Sequence, residues 1–223
     1  MPSNYYCRCT NDLPCDELSV SYAELQVGRR PIVLKMRICF QHDQLKSLQA
    51  ISYLLEREGS IEKVKLMKLL YLADRKSFIE TGVPITGSNL YAMPFGPVPS
   101  QCLDLVNGNF GADVFRYIHL NDSLVTLRQS AGTDKLSEAE RKVLDQILCE
   151  FGGVDKWKLV NETHKLPEYQ ACYEAGTSTL ISFESIAKVS GNPRRYRLGR
   201  PVISPEMAAV MVCPFPVGSD ATL

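Results

Sequence analysis

The first strongly patterned stretch of the chain carries apolar residues at helical spacing. Leu48, Ile51 and Leu55 lie at positions i, i+3 and i+7, so they form one stripe along a helix. Asp43 stands just before this stretch, and its short side chain can accept a hydrogen bond from the free amides of the first helical turn. Gly59 follows the stretch and suits a helix end. The pattern predicts an amphipathic helix between Asp43 and Gly59.

The next stretch, SIEKVKLMKLLYLADRKSFIETG, is apolar on nearly every side of its helix. A helix of this kind is expected at the centre of a core. Ser60 is predicted to cap its start and Gly82 to end it. Lys68 and Arg75 lie on one side of this helix, where they must reach solvent along their stems or find partners. Asp74 and Arg75 are candidates for buried ion pairs, with a structural rather than a catalytic role.

Apolar and polar residues alternate in VFRYIHLNDSLVTLRQ, which begins at Val114. This period of two is typical of strands. Asn121 and Asp122 tolerate the left-handed backbone angles that a two-residue turn requires. The sequence therefore predicts a β-hairpin with its turn at Asn121 and Asp122.

Further helices are predicted from their capping residues. Ser137 and Glu140 have the spacing of a capping box at the start of a helix. Shorter helices are predicted in VPSQCLDLVNG, with Ser100 or Pro97 near its start, on both sides of Leu166–Pro167, and after Ser182, which is a candidate N-cap. Together these elements predict a mainly α protein with a small β-hairpin or sheet, in the α+β class.

The segment PITGSNLYAMPFGPVPS, residues 84–100, combines four prolines with large apolar side chains. Prolines fix their own backbone angle, so we expect a stiff loop. Tyr91, Met93 and Phe95 have two interpretations. They could be exposed for partner binding, where a stiff loop loses little entropy, or they could fold back over the central helix. Both interpretations hold if alternate residues face opposite ways.

Composition excludes several classes of partner. The chain of 223 residues has 25 basic and 25 acidic residues, so its formal net charge is zero. This balance gives no long-range attraction to nucleic acid or to anionic lipid. No apolar run approaches the ~20 residues that span a bilayer, and the N-terminus lacks the basic-then-apolar order of a signal peptide. We therefore expect a cytoplasmic protein without a membrane partner, for which nucleic acid is a disfavoured partner.

Residues with catalytic or metal-binding patterns are scarce. There is no nucleophile elbow and no phosphate-binding loop, and only three histidines occur. We therefore predict no catalytic residues, no cofactor and no enzymatic activity. Cys7, Cys9 and Cys15 are the metal candidates because they are closely spaced. No second cysteine pair follows them, so reduced thiols are the favoured interpretation and a zinc-bearing extension is the alternative.

The motifs of the central helix and the proline-rich segment, taken together, are those of a known family. The chain resembles the Panacea domain, also called the SocA-like antitoxin domain, and is similar to phage-associated GepA-like proteins. The matching residues are Lys65, Leu66, Lys68, Leu69, Leu70 and Tyr71, then residues 84–87, then Tyr91, Ala92, Phe95, Gly96, Pro97 and Val98.

The resemblance implies a domain organisation. Residues 41–191 are expected to form the compact helical Panacea-type domain. Residues 1–40 are expected to be an irregular N-terminal extension, with Met36 as an alternative start of the protein. Residues 192–223 are expected to contain a linker, a short helix and a tail.

The resemblance also implies a function, that of the antitoxin in a toxin–antitoxin system. Such a protein neutralises a cognate toxin by direct protein–protein binding and, in part of the family, delivers it to a protease. A phage- or prophage-associated DNA-binding autoregulator is the alternative, although it needs a basic recognition helix, and an enzyme is less favoured. Homodimer formation is left open. The toxin-binding candidates are Lys68, Arg75, Tyr91, Met93, Phe95, Pro97 and Val98.

Overall fold

The structure is a computed structural model that describes residues 40–110 and 112–190, together with the backbones of strands β1 (Tyr22–Val27) and β2 (Arg30–Lys35). These two strands pair antiparallel within the segment 1–40, for which we expected irregular structure. The alternative start Met36, the metal candidates Cys7, Cys9 and Cys15, and the expected linker, helix and tail at 192–223 lie outside the described residues.

Helices and short strands follow each other along the rest of the chain. The elements are α1 (Gln44–Glu58), β3 (Ser60–Glu62), α2 (Lys63–Thr81), β4 (Leu90–Met93), β5 (Gly96–Pro99), α3 (Ser100–Val106), a 3₁₀ helix (Ala112–Arg116), β6 (Ile118–Asn121), β7 (Leu124–Leu127), α4 (Glu138–Phe151), α5 (Lys156–His164), α6 (Pro167–Gln170), β8 (Thr179–Ile181) and α7 (Phe183–Val189). The α+β prediction is confirmed.

Helix α1 forms as its pattern predicts. The Asp43 side chain accepts a hydrogen bond from the Lys46 amide at 3.0 Å, so it is the N-cap. Gly59 ends the helix with a positive φ of 74°, which an L side chain rarely adopts. The apolar stripe, which includes Ile51 and Leu55, is fully buried. Each fully buried side chain of this size contributes about 1.5–3 kcal/mol of hydrophobic free energy.

Helix α2 lies in the core as expected, but it begins two residues later than predicted. Ser60 is not its N-cap, because Ser60–Glu62 form β3 and pair antiparallel with β7. Glu62 occupies the cap position without a capping side-chain hydrogen bond. Gly82 ends the helix in the left-handed conformation, as predicted. The pairing with β7 is a tertiary contact, which explains why the local capping signal was misleading.

The predicted hairpin is present, with shorter strands. It consists of β6 and β7, in the three-stranded sheet β3-β7-β6. Val114 was expected in the first strand but lies in the 3₁₀ helix, where its side chain is buried. Asn121 pairs with Leu124, so the turn residues are Asp122 and Ser123, one position later than predicted. Asp122 has the positive φ, 52°.

The proline-rich segment is not the loop that we expected. Its second half forms the hairpin β4–β5, and β8 pairs with the other edge of β4 to give a second three-stranded sheet, β5-β4-β8. Pro97 and Pro99 both lie on β5, an edge strand. They are two residues apart, so their missing N–H groups fall on the same side of the strand and leave the pairing with β4 intact.

Two apolar clusters share helix α2 as their common wall. The larger cluster joins α1, α2, α3 and α4. The smaller one joins the other side of α2 to the β5-β4-β8 sheet, α6 and α7. Ser137 and Glu140 form the predicted capping box of α4, and Pro167 begins α6 at the predicted break. Within the part of the chain that the structure describes, no helix has both the length and the apolar content needed to cross a membrane.

Candidate protein-binding site

Strand β4 sends alternate side chains in opposite directions. Leu90 and Ala92 are fully buried against the smaller cluster, whereas Tyr91 and Met93 are half-buried. Phe95 follows in the turn between β4 and β5, residues 93–96, and is 58% exposed. The two interpretations of this segment therefore hold at the same time, because part of it covers α2 and its tip faces solvent.

Phe95 has an aromatic neighbour on the surface. Its ring contacts Trp157 edge-on, with 5.9 Å between centroids and 62° between planes. Trp157 is 52% exposed and lies in the first turn of α5, whose N-cap is Asp155. Isolated exposed apolar residues are ordinary, but two adjacent large aromatic rings are a feature of binding surfaces. We call Phe95 and Trp157 the aromatic pair.

A shallow cleft of about 390 Å³ continues the surface beside Trp157. Lys156 closes part of its rim by an ion pair with Glu62 at 2.8 Å. The Lys65 ammonium donates to the carbonyl of Gly152. The residues that line the cleft are Ser60, Ile61, Glu62, Lys65, Leu124, Val154, Asp155, Lys156 and Trp157. Both of its cations already have partners within the protein, and its lining mixes apolar side chains such as Leu124 and Val154 with polar ones.

The turn is held from beneath at both of its ends. The Tyr169 hydroxyl donates to the carbonyl oxygen of Met93 at 2.9 Å. The Lys68 ammonium donates to the carbonyl oxygen of Pro97, also at 2.9 Å. Gly96 has a φ of 92°, and a Cβ there would lie 2.9 Å from Thr163 Oγ1. The turn thus fits closely against the side chains below it, and only glycine suits this position.

Lys68 is a buried amine, 1% exposed, in the middle of this support. Burial lowers its pKa from 10.5 to about 7, because the charged form is costly to desolvate. Burial, and secondly the charge of Lys68, lower the pKa of His164. The His164 ring stacks on Tyr169 at 4.8 Å between centroids. Within residues 40–110 and 112–190, His164 Nε2 has no hydrogen-bond partner.

A second polar group fixes α6 to α2. Glu168, which is buried, accepts hydrogen bonds from the Tyr71 hydroxyl at 3.0 Å and from Arg75 Nε at 2.5 Å. Burial, and secondly the Glu168 carboxylate, raise the pKa of Tyr71 well above its ordinary value. Tyr169 follows Glu168 directly, so this group also determines where the Tyr169 hydroxyl points.

The structure separates the predicted site residues into two sets. Phe95 is exposed, and Tyr91, Met93 and the Arg75 side chain are partly accessible. The other three, Lys68, Pro97 and Val98, are buried. A buried side chain offers no surface to a partner in this conformation, so toxin contact by these three stays a prediction.

Sequence reasoning missed two residues of the site. Trp157 is the single tryptophan of the chain, and the buried Leu159 and Val160 place it outside the apolar face of α5. That pattern could have marked it as exposed. Tyr169 had no such signal, because its bond to Met93 joins residues 76 positions apart.

The accessible part of the site is suited to binding. Among the described residues, no three His, Cys, Asp or Glu side chains are grouped so that they could hold a metal ion. Lys68 and His164 have the lowered pKa values typical of proton-transfer groups. Lys68, however, lies beneath the turn with its ammonium bonded to Pro97, out of reach of a substrate.

Comparison with protein families identifies a matching family. Residues 66–170 match the family described as antitoxin SocA-like, Panacea domain. The matched range runs from the first turn of α2 to the last residue of α6, and it includes every predicted toxin-binding residue and the aromatic pair. The resemblance noted from the sequence is confirmed over this range. Comparisons with curated proteins and with solved structures found no match.

Proposed function

We propose, from the premise that residues 66–170 form a SocA-like Panacea domain, that this protein is an antitoxin that neutralises a cognate toxin by binding it directly. The observation that carries the proposal is the aromatic pair, Phe95 and Trp157, exposed side by side on the β4–β5 turn and α5. The complex would form in the cytoplasm. Delivery of the bound toxin to a protease is a further step that the family resemblance implies for some members.

The physical reason is the low entropic cost of binding through this surface. Aromatic side chains remove a large apolar area from water when a partner covers them. Phe95 lies on a turn whose backbone is already fixed at Met93 and Pro97. A partner therefore gains the contact without first ordering the turn, which is how preorganised surfaces achieve affinity.

The remaining predicted residues have supporting places in this proposal. Tyr91 and Met93 extend the surface along β4, and the cleft beside Trp157 can take a side chain of the toxin. Arg75 reaches the surface in part, although its guanidinium is bonded to Glu168. Lys68, Pro97 and Val98 contribute indirectly, because they help to hold the β4–β5 turn in place.

The test uses the protein encoded by the neighbouring gene as the toxin. We expect it to inhibit growth and co-expression of the antitoxin to relieve the inhibition. In calorimetric titrations, Phe95→Ala and Trp157→Ala should each raise Kd at least tenfold, since truncated anchors of an interface typically cost more than about 1.4 kcal/mol.

The matched control is Phe110→Ala. Phe110 is also an exposed phenylalanine, but its ring lies beside His42 rather than Trp157, so its removal should leave Kd unchanged. Absence of rescue by the wild type would contradict the antitoxin function. Rescue with wild-type Kd for both aromatic variants would keep the function and reject this surface.

A further inference from the structure

We propose that Tyr169 and Lys68 are positioning residues that hold the β4–β5 turn in its binding conformation, through hydrogen bonds to the carbonyl groups at its two ends. The inference rests on the proposed function, because it explains how the aromatic pair is presented to the toxin. Tyr169 and Lys68 themselves lie beneath the surface and contact no toxin.

The two hydrogen bonds bracket the turn. The acceptors are the carbonyl oxygens of Met93 and Pro97, and each donor lies 2.9 Å from its acceptor. Only residues 94–96 lie between them. The donors come from different elements, α6 and α2, so the turn is fixed to two parts of the fold at once. With both ends held, the direction in which Phe95 leaves the backbone is determined.

The two hydrogen bonds do not by themselves prevent the β4–β5 turn from moving inward, but close packing at Gly96 does. The Cα of Gly96 is so close to α5 and to a side chain of α2 that an added Cβ would lie 2.9 Å from Thr163 Oγ1 and 3.2 Å from His164 Cδ2 on α5, and 3.1 Å from Lys68 Cε on α2. The Lys68 stem therefore serves twice, as a donor to Pro97 and as a wall behind Gly96. Phe95 is left with Trp157 as its neighbour on the outer side.

Tyr169 is itself fixed by its surroundings. Its ring stacks between His164 and Tyr173, with centroid distances of 4.8 Å and 5.0 Å. The preceding residue, Glu168, is bonded to Tyr71 and Arg75 on α2. A continuous series of contacts thus runs from the central helix through α6 to the turn.

The variant Tyr169→Phe tests the inference because it removes only the hydroxyl and retains the stacked ring. Tyr173→Phe is the matched control, since it removes a hydroxyl from the next ring of the same stack, which donates to neither Met93 nor Pro97. Trp157 is the only tryptophan of the chain, so its fluorescence reports on the turn without a partner. We expect Tyr169→Phe to increase acrylamide quenching of Trp157 and to raise Kd for the toxin about tenfold. Tyr173→Phe should match the wild type in both.

Three further results would separate this inference from the proposed function. Wild-type quenching and Kd in Tyr169→Phe would overturn the inference. A wild-type Kd in Tyr169→Phe, combined with a raised Kd in Phe95→Ala, would also overturn it and leave the proposed function standing. If Phe95→Ala has a wild-type Kd, the toxin does not bind at the aromatic pair. The quenching of Trp157 in Tyr169→Phe then decides alone whether Tyr169 holds the turn.

A second variant covers the case in which Tyr169→Phe does not fold. Lys68→Met removes the donor at the other end of the turn and retains much of the stem behind Gly96. It should raise both the quenching of Trp157 and the Kd, with unchanged circular dichroism. Wild-type values of both quantities in Lys68→Met would overturn the role assigned to Lys68.

Discussion

Both halves of the proline-rich segment contain stiffening residues, but only the second half exposes a large aromatic side chain at the surface. In the first half, Ile85, Thr86 and Ser88 are buried in the core. In the second half, Phe95 projects from the β4–β5 turn into solvent. Both halves contain a proline and a glycine with positive φ, Gly87 and Gly96. Local stiffness alone therefore does not decide whether such a segment becomes core or surface.

The position of the polar partners accounts for the difference. Asp74, fully buried on α2, accepts hydrogen bonds from the Thr86 amide at 2.8 Å and from the Thr86 hydroxyl at 2.5 Å. These bonds draw both the backbone and a side chain inwards. In the second half, Lys68 and Tyr169 bind only backbone carbonyls from below. The side chain of Phe95 is therefore free to face outwards.

The largest effect is expected from removal of the inward partner. Asp74→Ala leaves the two Thr86 donors buried without an acceptor, and each unpaired buried group costs about 1–3 kcal/mol. We expect the free energy of unfolding, measured by urea denaturation, to fall by about 4 kcal/mol. Asp113→Ala is the matched control, since the Asp113 carboxylate is highly exposed and its loss should cost less than about 0.5 kcal/mol. Equal losses in the two variants would contradict the account of the buried half.

The two glycines give a direct comparison of the two halves. A Cβ at Gly87 would lie 2.3 Å from the backbone oxygen of Gln41, whereas at Gly96 the nearest atom is 2.9 Å away and belongs to a side chain rather than to the backbone. Gly82 has a similar φ of 85° with open space around it, so Gly82→Ala measures the backbone strain alone. We expect losses of about 3 kcal/mol for Gly87→Ala, about 2 for Gly96→Ala and about 1 for Gly82→Ala. A Gly96 loss as large as that of Gly87 would show that the turn is as rigidly enclosed as the core half.

The smallest effect concerns pH and the support beneath the turn. The pKa of Lys68 is about 7 in the folded protein and 10.5 ordinarily. Between about pH 7 and pH 10.5 the unfolded chain therefore binds up to one more proton at this site than the folded protein does. Stability from this site is fully present above pH 10.5 and is lost as the pH falls through 7, with a slope of at most about 1.4 kcal/mol per pH unit.

The measurement compares the wild type with Lys68→Met by urea denaturation at pH 6.5, 7.5 and 8.5. The free energy of unfolding of the wild type should rise relative to that of the variant by about 2 kcal/mol over this range. Contributions from tyrosine and cysteine groups cancel in the difference between the two proteins. Parallel pH profiles would mean that Lys68 titrates normally, and that its ammonium is not desolvated beneath the turn.

The sequence predicted those elements whose signals are local. Asp43 and the Ser137–Glu140 capping box mark helix starts, because a cap acts through amides within one turn. Ser60 carried the same type of signal, but pairing with β7 placed it in a strand. The strands β4 and β5 were missed since prolines argue against strands, except at the edge of a sheet, where β5 lies.

The candidate site was predicted only in part, for a similar reason. Phe95 and the alternation of Tyr91 and Met93 follow from the segment itself. The buried state of Lys68 does not, since a lysine on a central helix can equally reach solvent along its stem. The contact between Phe95 and Trp157 joins residues that are 62 positions apart in the sequence. No local sequence pattern determines such a contact.

The prolines of β5 have a consequence for how chains can meet. Pro97 and Pro99 offer no N–H on the outer side of the edge strand, and the carbonyl of Pro97 is already occupied by Lys68. An exposed strand edge normally invites another chain to extend the sheet, which is a route to aggregation. This edge lacks the donors for such an extension and its four residues are buried, so the aromatic pair is exposed beside a strand edge that does not favour self-association.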